Sequence, residues 1–176
     1  AGGTGLAAVQ IGHALGARVI EACSNEKKLQ TVKQHGADVA INTGKDDVRN
    51  VIKSLTGGAG ADVIFDPVGG DLAKSLARSV GWNGRWLVIG FADGAIPKVP
   101  LNLPLVKGYS IVGVFWGSFC DRDPAQAQTN HGQLFEMAAS GKLTPHLHAV
   151  MPLNEAPCAL SQIEQRAVQG KIVLNP

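Results

Sequence analysis

Cysteines, aromatic side chains and long apolar runs are all scarce in this sequence of 176 residues. Its three cysteines, Cys23, Cys120 and Cys158, lie far apart, and such an odd, sparse set argues against a disulfide framework and fits a reducing compartment. No apolar run approaches the roughly 20 residues that span a bilayer. The net charge of +2 is too small to indicate nucleic acid or an anionic membrane as a partner. We therefore expect a cytoplasmic protein that binds neither.

Clusters of metal-binding residues are scarce as well. The sequence has no Cys-x-x-Cys motif, and His146 and His148 form its only close histidine pair. Alternation would place both rings on one face of a strand, but further ligands are lacking nearby and Pro145 precedes the pair. We therefore expect no metal site.

Apolar residues and glycine are abundant: 45% of the residues are hydrophobic, 17% are charged and 22 are glycines. Apolar, strand-like segments alternate with segments of helical periodicity, which indicates an α/β protein with a Rossmann-type, doubly wound parallel sheet. The predicted strands cover residues 18–23, 37–42, 61–66, 84–91, 109–116, 147–151 and 171–174. The predicted helices cover residues 6–15, 25–35, 46–55, 71–80, 123–141 and 155–166. Three prolines in residues 92–108 indicate an irregular connection.

The sequence begins with a glycine-rich turn of four residues: Gly2, Gly3, Thr4 and Gly5. Apolar residues of helical spacing follow, at Leu6, Val9, Ile11 and Leu15. A pyrophosphate at a helix N-terminus is held by free backbone amides and by the helix dipole, and a Cβ on the turn would push it away. The turn therefore predicts a dinucleotide site, with a flexible terminus or an ordinary turn as the alternative. The strand that should precede this turn is absent, so we expect the chain to be incomplete.

The end of the next strand selects the cofactor in a Rossmann fold. An acidic residue there binds the ribose 2′-hydroxyl of NAD, whereas a small polar residue with a nearby cation accommodates the 2′-phosphate of NADP. The sequence has Ser24 at this point and Lys28 one helical turn later, and its acidic residues Glu21 and Glu26 lie to either side. This pattern favours NADP(H). In the alternative, Ser24 only caps the next helix and Lys28 belongs to a solvated face.

Six motifs occur in an order that resembles one known family. They are residues 2–10 (GGTGLAAVQ), Ser24-x-x-x-Lys28, 36–38 (GAD), 66–70 (DPVGG), 84–91 (GRWLVIGF) and 170–174 (GKIVL). This series resembles the zeta-crystallin-type quinone oxidoreductases of the medium-chain dehydrogenase/reductase superfamily, across essentially the whole chain. Within that branch the most distinctive part is residues 99–102 (VPLN) together with 114–117 (VFWG).

The resemblance implies a set of cofactor-binding residues. They are Gly2, Gly3, Thr4, Gly5, Ser24, Lys28, Asn42, Val68, Gly90, Phe91, Phe115, Trp116 and Gly117. Asn42 would lie on the adenine side, where Thr43 stands in place of a tyrosine that is frequent in the family. Val68 would lie in the loop beneath the cofactor.

The remaining residues of that set, from Gly90 onward, would surround the nicotinamide. For Phe91, Phe115 and Trp116, plain core packing is the alternative. Against it, Gly117 follows the last two at the predicted C-terminal end of a strand, which is the edge where open α/β sheets bind ligands.

The resemblance also implies a function, namely NADPH-dependent hydride transfer to a quinone or an activated alkene. It implies neither zinc nor a catalytic acid or base, and it implies a homodimer formed through the last Rossmann strand, near residues 111–114. A nucleotide-binding module without catalysis and an enoyl-thioester reductase of the same superfamily are the alternatives. Family members carry an N-terminal β-rich domain that this sequence does not contain. We therefore expect residues 1–122 to be the Rossmann domain and residues 123–176 to be the segment that returns to the catalytic domain.

Overall fold

The computed structural model describes residues 1–176 and consists of helices that alternate with short strands. The α-helices are α1 (Gly3–Ala14), α2 (Glu26–Gln34), α3 (Val48–Leu55), α4 (Leu72–Ser79), α5 (Asn102–Lys107), α6 (Trp116–Arg122), α7 (Pro124–Ala139) and α8 (Ala156–Glu164). The strands are β1 (Ile20–Cys23), β2 (Val39–Asn42), β3 (Ala61–Asp66), β4 (Val80–Val88), β5 (Ser110–Gly113), β6 (Leu147–Pro152) and β7 (Lys171–Asn175). A 3-10 helix, Leu153–Glu155, precedes α8. None of these helices combines the length and apolar character needed to cross a bilayer.

All strand pairs are parallel. Strand β1 pairs with β2, the strands β3, β4 and β5 form a three-stranded sheet in that order, and β6 pairs with β7. In the central sheet Ile64 aligns with Trp86, and Trp86 aligns with Ile111. The predicted α/β architecture with parallel strands is confirmed.

The chain divides into two compact units. Unit 1 comprises residues 1–44 and 132–176, and unit 2 comprises residues 45–131. The strands β1, β2, β6 and β7 belong to unit 1, whereas β3, β4 and β5 belong to unit 2.

The core of unit 1 forms where α1 packs on the β1–β2 sheet. Its buried cluster consists of Leu6, Val9, Cys23, Val32 and Ala37. The apolar pattern predicted for α1 is right for Leu6 and Val9 but wrong for Leu15, which is 69% exposed. The other buried position of α1 is polar: the Gln10 side chain donates to the carbonyl of Thr144 at 2.8 Å and accepts from its N–H at 2.7 Å. Because both amide atoms are satisfied, Gln10 can be buried without the cost of an unpaired polar group.

The core of unit 2 lies beneath β3 and β4. Trp86, two residues before the end of β4, is 1% exposed and is among the largest fully buried side chains of the chain. One face of α4 is also buried, with Ala73, Leu76, Ala77 and Ser79, and Val80 begins β4 with no exposure at all. A buried carboxylate, Asp66, ends β3 at the edge of this core.

Two predictions for unit 2 are wrong. Residues 92–108 are not irregular throughout, because they contain α5, which Gly108 ends in the left-handed conformation at φ +63°. Pro104 does not prevent this helix, because a proline in the first turn gives up an N–H that has no intrahelical partner. The strand predicted over residues 109–116 ends at Gly113, and the chain enters α6 at Trp116.

Candidate functional site

The predicted glycine turn forms the start of α1. Gly2 is the N-cap residue, its carbonyl accepts from the Leu6 N–H at 2.9 Å, and it has no side chain that could cap the helix. The first-turn amides of a helix, here those of Gly3, Thr4 and Gly5, have no intrahelical acceptor. These donors and the positive end of the helix dipole favour an anion at this point.

At two of the three glycines of this turn, a side chain would come close to a neighbouring group. A methyl group on Gly3 would lie 2.6 Å from Cε of Lys171 and 3.1 Å from the carbonyl oxygen of Gly170, and one on Gly5 would lie 3.1 Å from Oε1 of Glu21. A methyl group on Gly2 would meet nothing within 4 Å. Gly2 is therefore the position that leaves open space in front of the helix. Burial raises the pKa of Glu21, which packs beside Gly5.

Lys171 is a cation to which the sequence analysis assigned no binding role. Its aliphatic stem lies against Gly3, and its ammonium, one bond beyond Cε, adds a positive charge to the start of α1. Gly2 and Gly170 form a parallel β-bridge, and the Gly170 N–H donates to the carbonyl of Ala1 at 3.1 Å. The backbone of β7 therefore fixes Lys171 beside the glycine turn. Sequence spacing alone gives no signal for this contact.

Ser24 and Lys28 lie together at the end of β1, as predicted from their spacing. The Lys28 Nζ is 3.4 Å from the Ser24 Oγ and 3.5 Å from the carbonyl oxygen of Arg166. The expectation that Ser24 is the N-cap of α2 is wrong in both interpretations, because Asn25 is the N-cap and its Oδ1 accepts from the Lys28 N–H at 3.2 Å. The Ser24 hydroxyl is therefore available to a ligand that Lys28 also reaches.

Asn42 is 5% exposed and its amide is used within the protein. Its Nδ2 donates to Oε2 of Glu26 at 3.1 Å, and its Oδ1 accepts from the Gly44 N–H at 3.0 Å. Thr43, the residue in place of the family tyrosine, donates from Oγ1 to the Cys23 carbonyl at 3.2 Å. These bonds join the ends of β1 and β2 to the first turn of α2. They place a carboxylate, Glu26, at this edge of the sheet.

In unit 2, the loop that contains Val68 is held by the buried side chain of Asp66. One carboxylate oxygen accepts from the N–H groups of Val68 at 3.0 Å and Gly69 at 2.9 Å, and the other accepts from Nε1 of Trp86 at 3.2 Å. Three donors on a buried carboxylate satisfy its charge without a cation. Asp66 thus positions the loop, a role that its place in the DPVGG motif did not reveal because Trp86 comes 20 residues later.

The loops that follow β3 and β4 are joined by backbone hydrogen bonds. The Ala92 N–H donates to the Pro67 carbonyl at 3.1 Å, and the Asp93 N–H donates to the Val68 carbonyl at 3.0 Å. A methyl group on Gly69, whose φ is +69°, would lie 2.9 Å from the Phe91 ring. Phe91 and Val68 are 41% and 38% exposed, so these two loops present adjoining apolar side chains at the carboxyl edge of the sheet. Phe91 is therefore not a core residue. Gly90, just before it, leads out of β4.

The placement predicted for Phe115, Trp116 and Gly117 at a strand end is wrong. Phe115 is the N-cap residue of α6 and the other two begin that helix, because β5 stops two residues earlier. Phe115 is 79% exposed. Trp116 stacks on Phe119 with ring centroids 5.5 Å apart, and it meets the ring of His131 edge-on at the same distance. Trp116 therefore belongs to an exposed aromatic cluster and does not pack in the core.

The side chains do not form a metal centre, since no group of three or more His, Cys, Asp and Glu residues is arranged to hold an ion. His146 packs edge-on against the ring of His35 at 4.8 Å rather than against a third ligand. Burial and the two neighbouring histidines, His35 and then His148, lower the pKa of His146.

The chain is similar to known proteins over almost its whole length. Residues 3–131 match the family model described as zinc-binding dehydrogenase. The quinone oxidoreductase-like protein 2 homolog of Nematostella vectensis is 38% identical over 99% of this chain and 48% of its own length. The chain spans about half the length of the curated relatives it matches.

Two solved structures show the fold. The quinone oxidoreductase of Pseudomonas syringae pv. Tomato DC3000 superposes with a TM-score of 0.89 at 30% identity, over 100% of this chain and 54% of that one. The quinone oxidoreductase of Escherichia coli complexed with NADPH superposes with a TM-score of 0.86 at 29% identity, over 100% of this chain and 55% of that one. The predicted Rossmann-type fold is confirmed.

Proposed function

This chain belongs to the zinc-binding dehydrogenase family, and we propose that it forms the NADP(H)-binding part of an oxidoreductase that reduces a quinone or an activated alkene. The relative and the solved structures named above, which carry quinone oxidoreductase names, support the reaction class. Zinc does not fit the residues described, because they lack a group of three ligands. Zinc-independent chemistry is proposed from the resemblance to the quinone oxidoreductases alone.

The observation that carries the proposal is the uncapped start of α1. Its first-turn amides have no intrahelical acceptor and the Lys171 side chain lies beside Gly3, a combination that fits the pyrophosphate of a dinucleotide. Side chains at Gly3 and Gly5 would disturb this arrangement, because they would push on Lys171 and Glu21.

Cofactor choice would depend on Ser24 and Lys28. A hydroxyl and an ammonium 3.4 Å apart can both bind oxygens of one 2′-phosphate. Glu26, whose carboxylate is anchored by Asn42, would instead bind a ribose hydroxyl or repel a phosphate. Lys28 is thus the residue that should separate NADPH from NADH.

Bound NADPH supplies a hydride, and the residues of this chain would orient it and exclude water. The Val68 and Phe91 side chains offer apolar surface suited to a flat ring, and the Asp66 carboxylate keeps their loops in register. Phe115 and Trp116 would extend this surface. No side chain in this group needs to act as an acid or base, because quinone reduction can take its protons from water.

The free edge of β5 supports a homodimer. This strand pairs only with β4. Its apolar residues Ile111 and Val112 are 41% and 36% exposed, and Val114, just after the strand, is 37% exposed. An exposed edge strand with apolar side chains is a template for pairing with another copy. We propose that two copies pair through this edge.

Titration calorimetry with NADPH and NADH tests the cofactor proposal. Lys28→Ala should weaken NADPH binding at least about tenfold, or about 1.4 kcal/mol, because a charge-assisted contact to the 2′-phosphate is lost. It should leave NADH binding within about twofold, since NADH has no such phosphate. Lys27→Ala, which removes an exposed charge from the neighbouring position of α2, is the matched control.

Equal losses for both cofactors, or a preference of the unmodified chain for NADH, would contradict the assignment. Reduction of a quinone by the longer protein, monitored by NADPH absorbance, tests the catalytic part. NADPH binding without quinone reduction would favour a binding module, and activity confined to enoyl thioesters would favour the other reductase class.

A further inference from the structure

Unit 2 contains a basic concavity for which the proposed function has no use. Its volume is about 180 Å³. The lining residues are Arg49, Ile52, Lys53, Gly58, Gly60, Arg78, Ser79 and Lys107. Four of the eight are cations and none is acidic. By comparison, the net charge of the entire chain is only +2.

The four cations come from three helices. Arg49 and Lys53 lie one turn apart on α3, whereas Arg78 and Lys107 lie in the last turns of α4 and α5. The Lys107 Nζ donates to the carbonyl oxygens of Arg78 at 2.7 Å and Val80 at 2.5 Å. This ammonium is therefore fixed in place, and it keeps a third donor. Burial, followed by the nearby Arg49 guanidinium, lowers the pKa of Lys107.

The dipoles of the helix C-termini balance only part of this positive charge. Lys53, Arg78 and Lys107 each occupy the last turn of a helix, where a cation complements the dipole. A helix C-terminus carries roughly half a negative charge, so three of them offset fewer than two of the four cations. Arg49, Lys53 and Arg78 make no ion pair with a carboxylate. A surplus of about 2.5 positive charges remains, which is enough to neutralise a phosphate group with a charge of about −2.

Two glycines in the left-handed conformation form part of the wall of the concavity. Gly58 and Gly60 have φ of +91° and +88°, and a methyl group on Gly60 would lie 2.7 Å from the Ser79 carbonyl oxygen. A side chain at Gly60 would therefore clash with the backbone where α4 passes into β4.

The position excludes a role in the proposed cofactor site of unit 2. Gly60 and Ser79 directly precede β3 and β4, so the concavity lies at the amino edge of the sheet. Val68 and Phe91 follow the same strands at the carboxyl edge. Six residues of β3 separate the two edges by about 20 Å.

We propose that this concavity is an anion site that binds a doubly charged phosphate group, carried by a small phosphate ester or present as the free ion. Arg49 and Lys53 would contact the phosphate oxygens from one side, and Arg78 and Lys107 would contact them from the other.

NMR titration of the ¹⁵N-labelled chain with inorganic phosphate, at an ionic strength held constant with sodium chloride, tests the proposal. We expect saturable shifts centred on the amides of Gly58 and Gly60. The double variant Arg49→Gln/Lys53→Gln should weaken binding at least about tenfold, because two charge-assisted contacts are lost. All four substituted positions of this variant and its control are exposed, so folding should be kept.

The matched control is Lys33→Gln/Lys98→Gln, which removes the same charge from exposed positions outside the concavity. It should change the affinity by less than about twofold, since screened surface charges contribute little. The charge-preserving variant Arg49→Lys/Lys53→Arg should retain most of the binding.

Three results would overturn the proposal: shifts that do not saturate, shifts confined to the amides of Gly3 to Gly5, or equal losses in the glutamine variant and its control. Methyl phosphate separates the two sources of the ligand. Tighter binding of methyl phosphate than of inorganic phosphate supports a site for phosphate esters, and equal or weaker binding supports a site for the free ion.

Discussion

Asp66→Asn is the substitution that tests most directly how the loop beneath the proposed cofactor site is held. Asp66 is 4% exposed, and its two oxygens accept from three donors, the N–H groups of Val68 and Gly69 and the indole of Trp86. Asparagine keeps one oxygen for the loop but turns its NH₂ toward the Trp86 Nε1, so that two donors face each other. Hydrogen bonds to a charged group contribute about 1.5–3 kcal/mol, and a buried donor without an acceptor costs about 1–3 kcal/mol. We therefore expect the free energy of unfolding to fall by about 2–4 kcal/mol.

The assay is urea denaturation monitored by circular dichroism, with a double-mutant cycle that adds Trp86→Phe. Phenylalanine removes the opposing donor, so Asp66→Asn should cost about 1–2 kcal/mol less in that background than in the unmodified protein. Asp71→Asn is the matched control, because Asp71 is exposed and bonds only to the exposed Lys74, and it should leave the unfolding free energy nearly unchanged. Additive effects of the two core substitutions, within about 0.5 kcal/mol, would refute the idea that Asp66 acts through Trp86.

Two further substitutions test separate features of unit 2. Tyr109→Phe removes a buried hydroxyl that has no hydrogen-bond partner, so urea denaturation should show an unfolding free energy that is unchanged or raised by up to about 1 kcal/mol; a clear loss of stability would mean that the hydroxyl has a partner. Ile111→Pro should convert the proposed dimer to a monomer in sedimentation velocity experiments without unfolding β5. The reason is that the N–H of Val114 donates to Val88, so the N–H of Ile111 points away from β4 and is free for another copy. A dimer that survives this proline would exclude the β5 edge as its interface.

The spacing of apolar residues predicts most of the secondary structure. Apolar side chains mark the buried positions, and these recur with the period of the helix or strand. This spacing succeeds for the first turns of α1, where Leu6 and Val9 are buried, but not for β3, where the apolar Val63 and Phe65 are exposed. It fails at Trp116, where apolar residues continue past the end of β5 into an exposed aromatic cluster. A run of apolar residues cannot by itself distinguish a strand from the start of a helix that presents a surface.

The contacts of the candidate site also include some that the sequence predicts and some that it does not. Local contacts such as that of Ser24 with Lys28 follow from helical spacing, so the sequence predicts them. Contacts between distant segments do not follow from spacing, and these supply the Lys171 stem against Gly3 and the Trp86 indole on Asp66. A glycine indicates such a contact only indirectly. Gly3 leaves room for Lys171, but the sequence does not show which residue lies beside it.

The two proposed anion sites differ in their physics, and the difference explains why only one has a recognisable motif. At the start of α1, backbone amides and a helix dipole provide the attraction, so the requirement on the sequence is glycine at fixed spacing. At the amino edge of the β3–β4 sheet, helix C-termini repel an anion, and side-chain cations must first offset them before any attraction remains. Such cations can come from any helix that ends there, as Arg49 on α3 and Lys107 on α5 do. A site of this kind therefore has no fixed spacing, and only the folded chain brings its charges together.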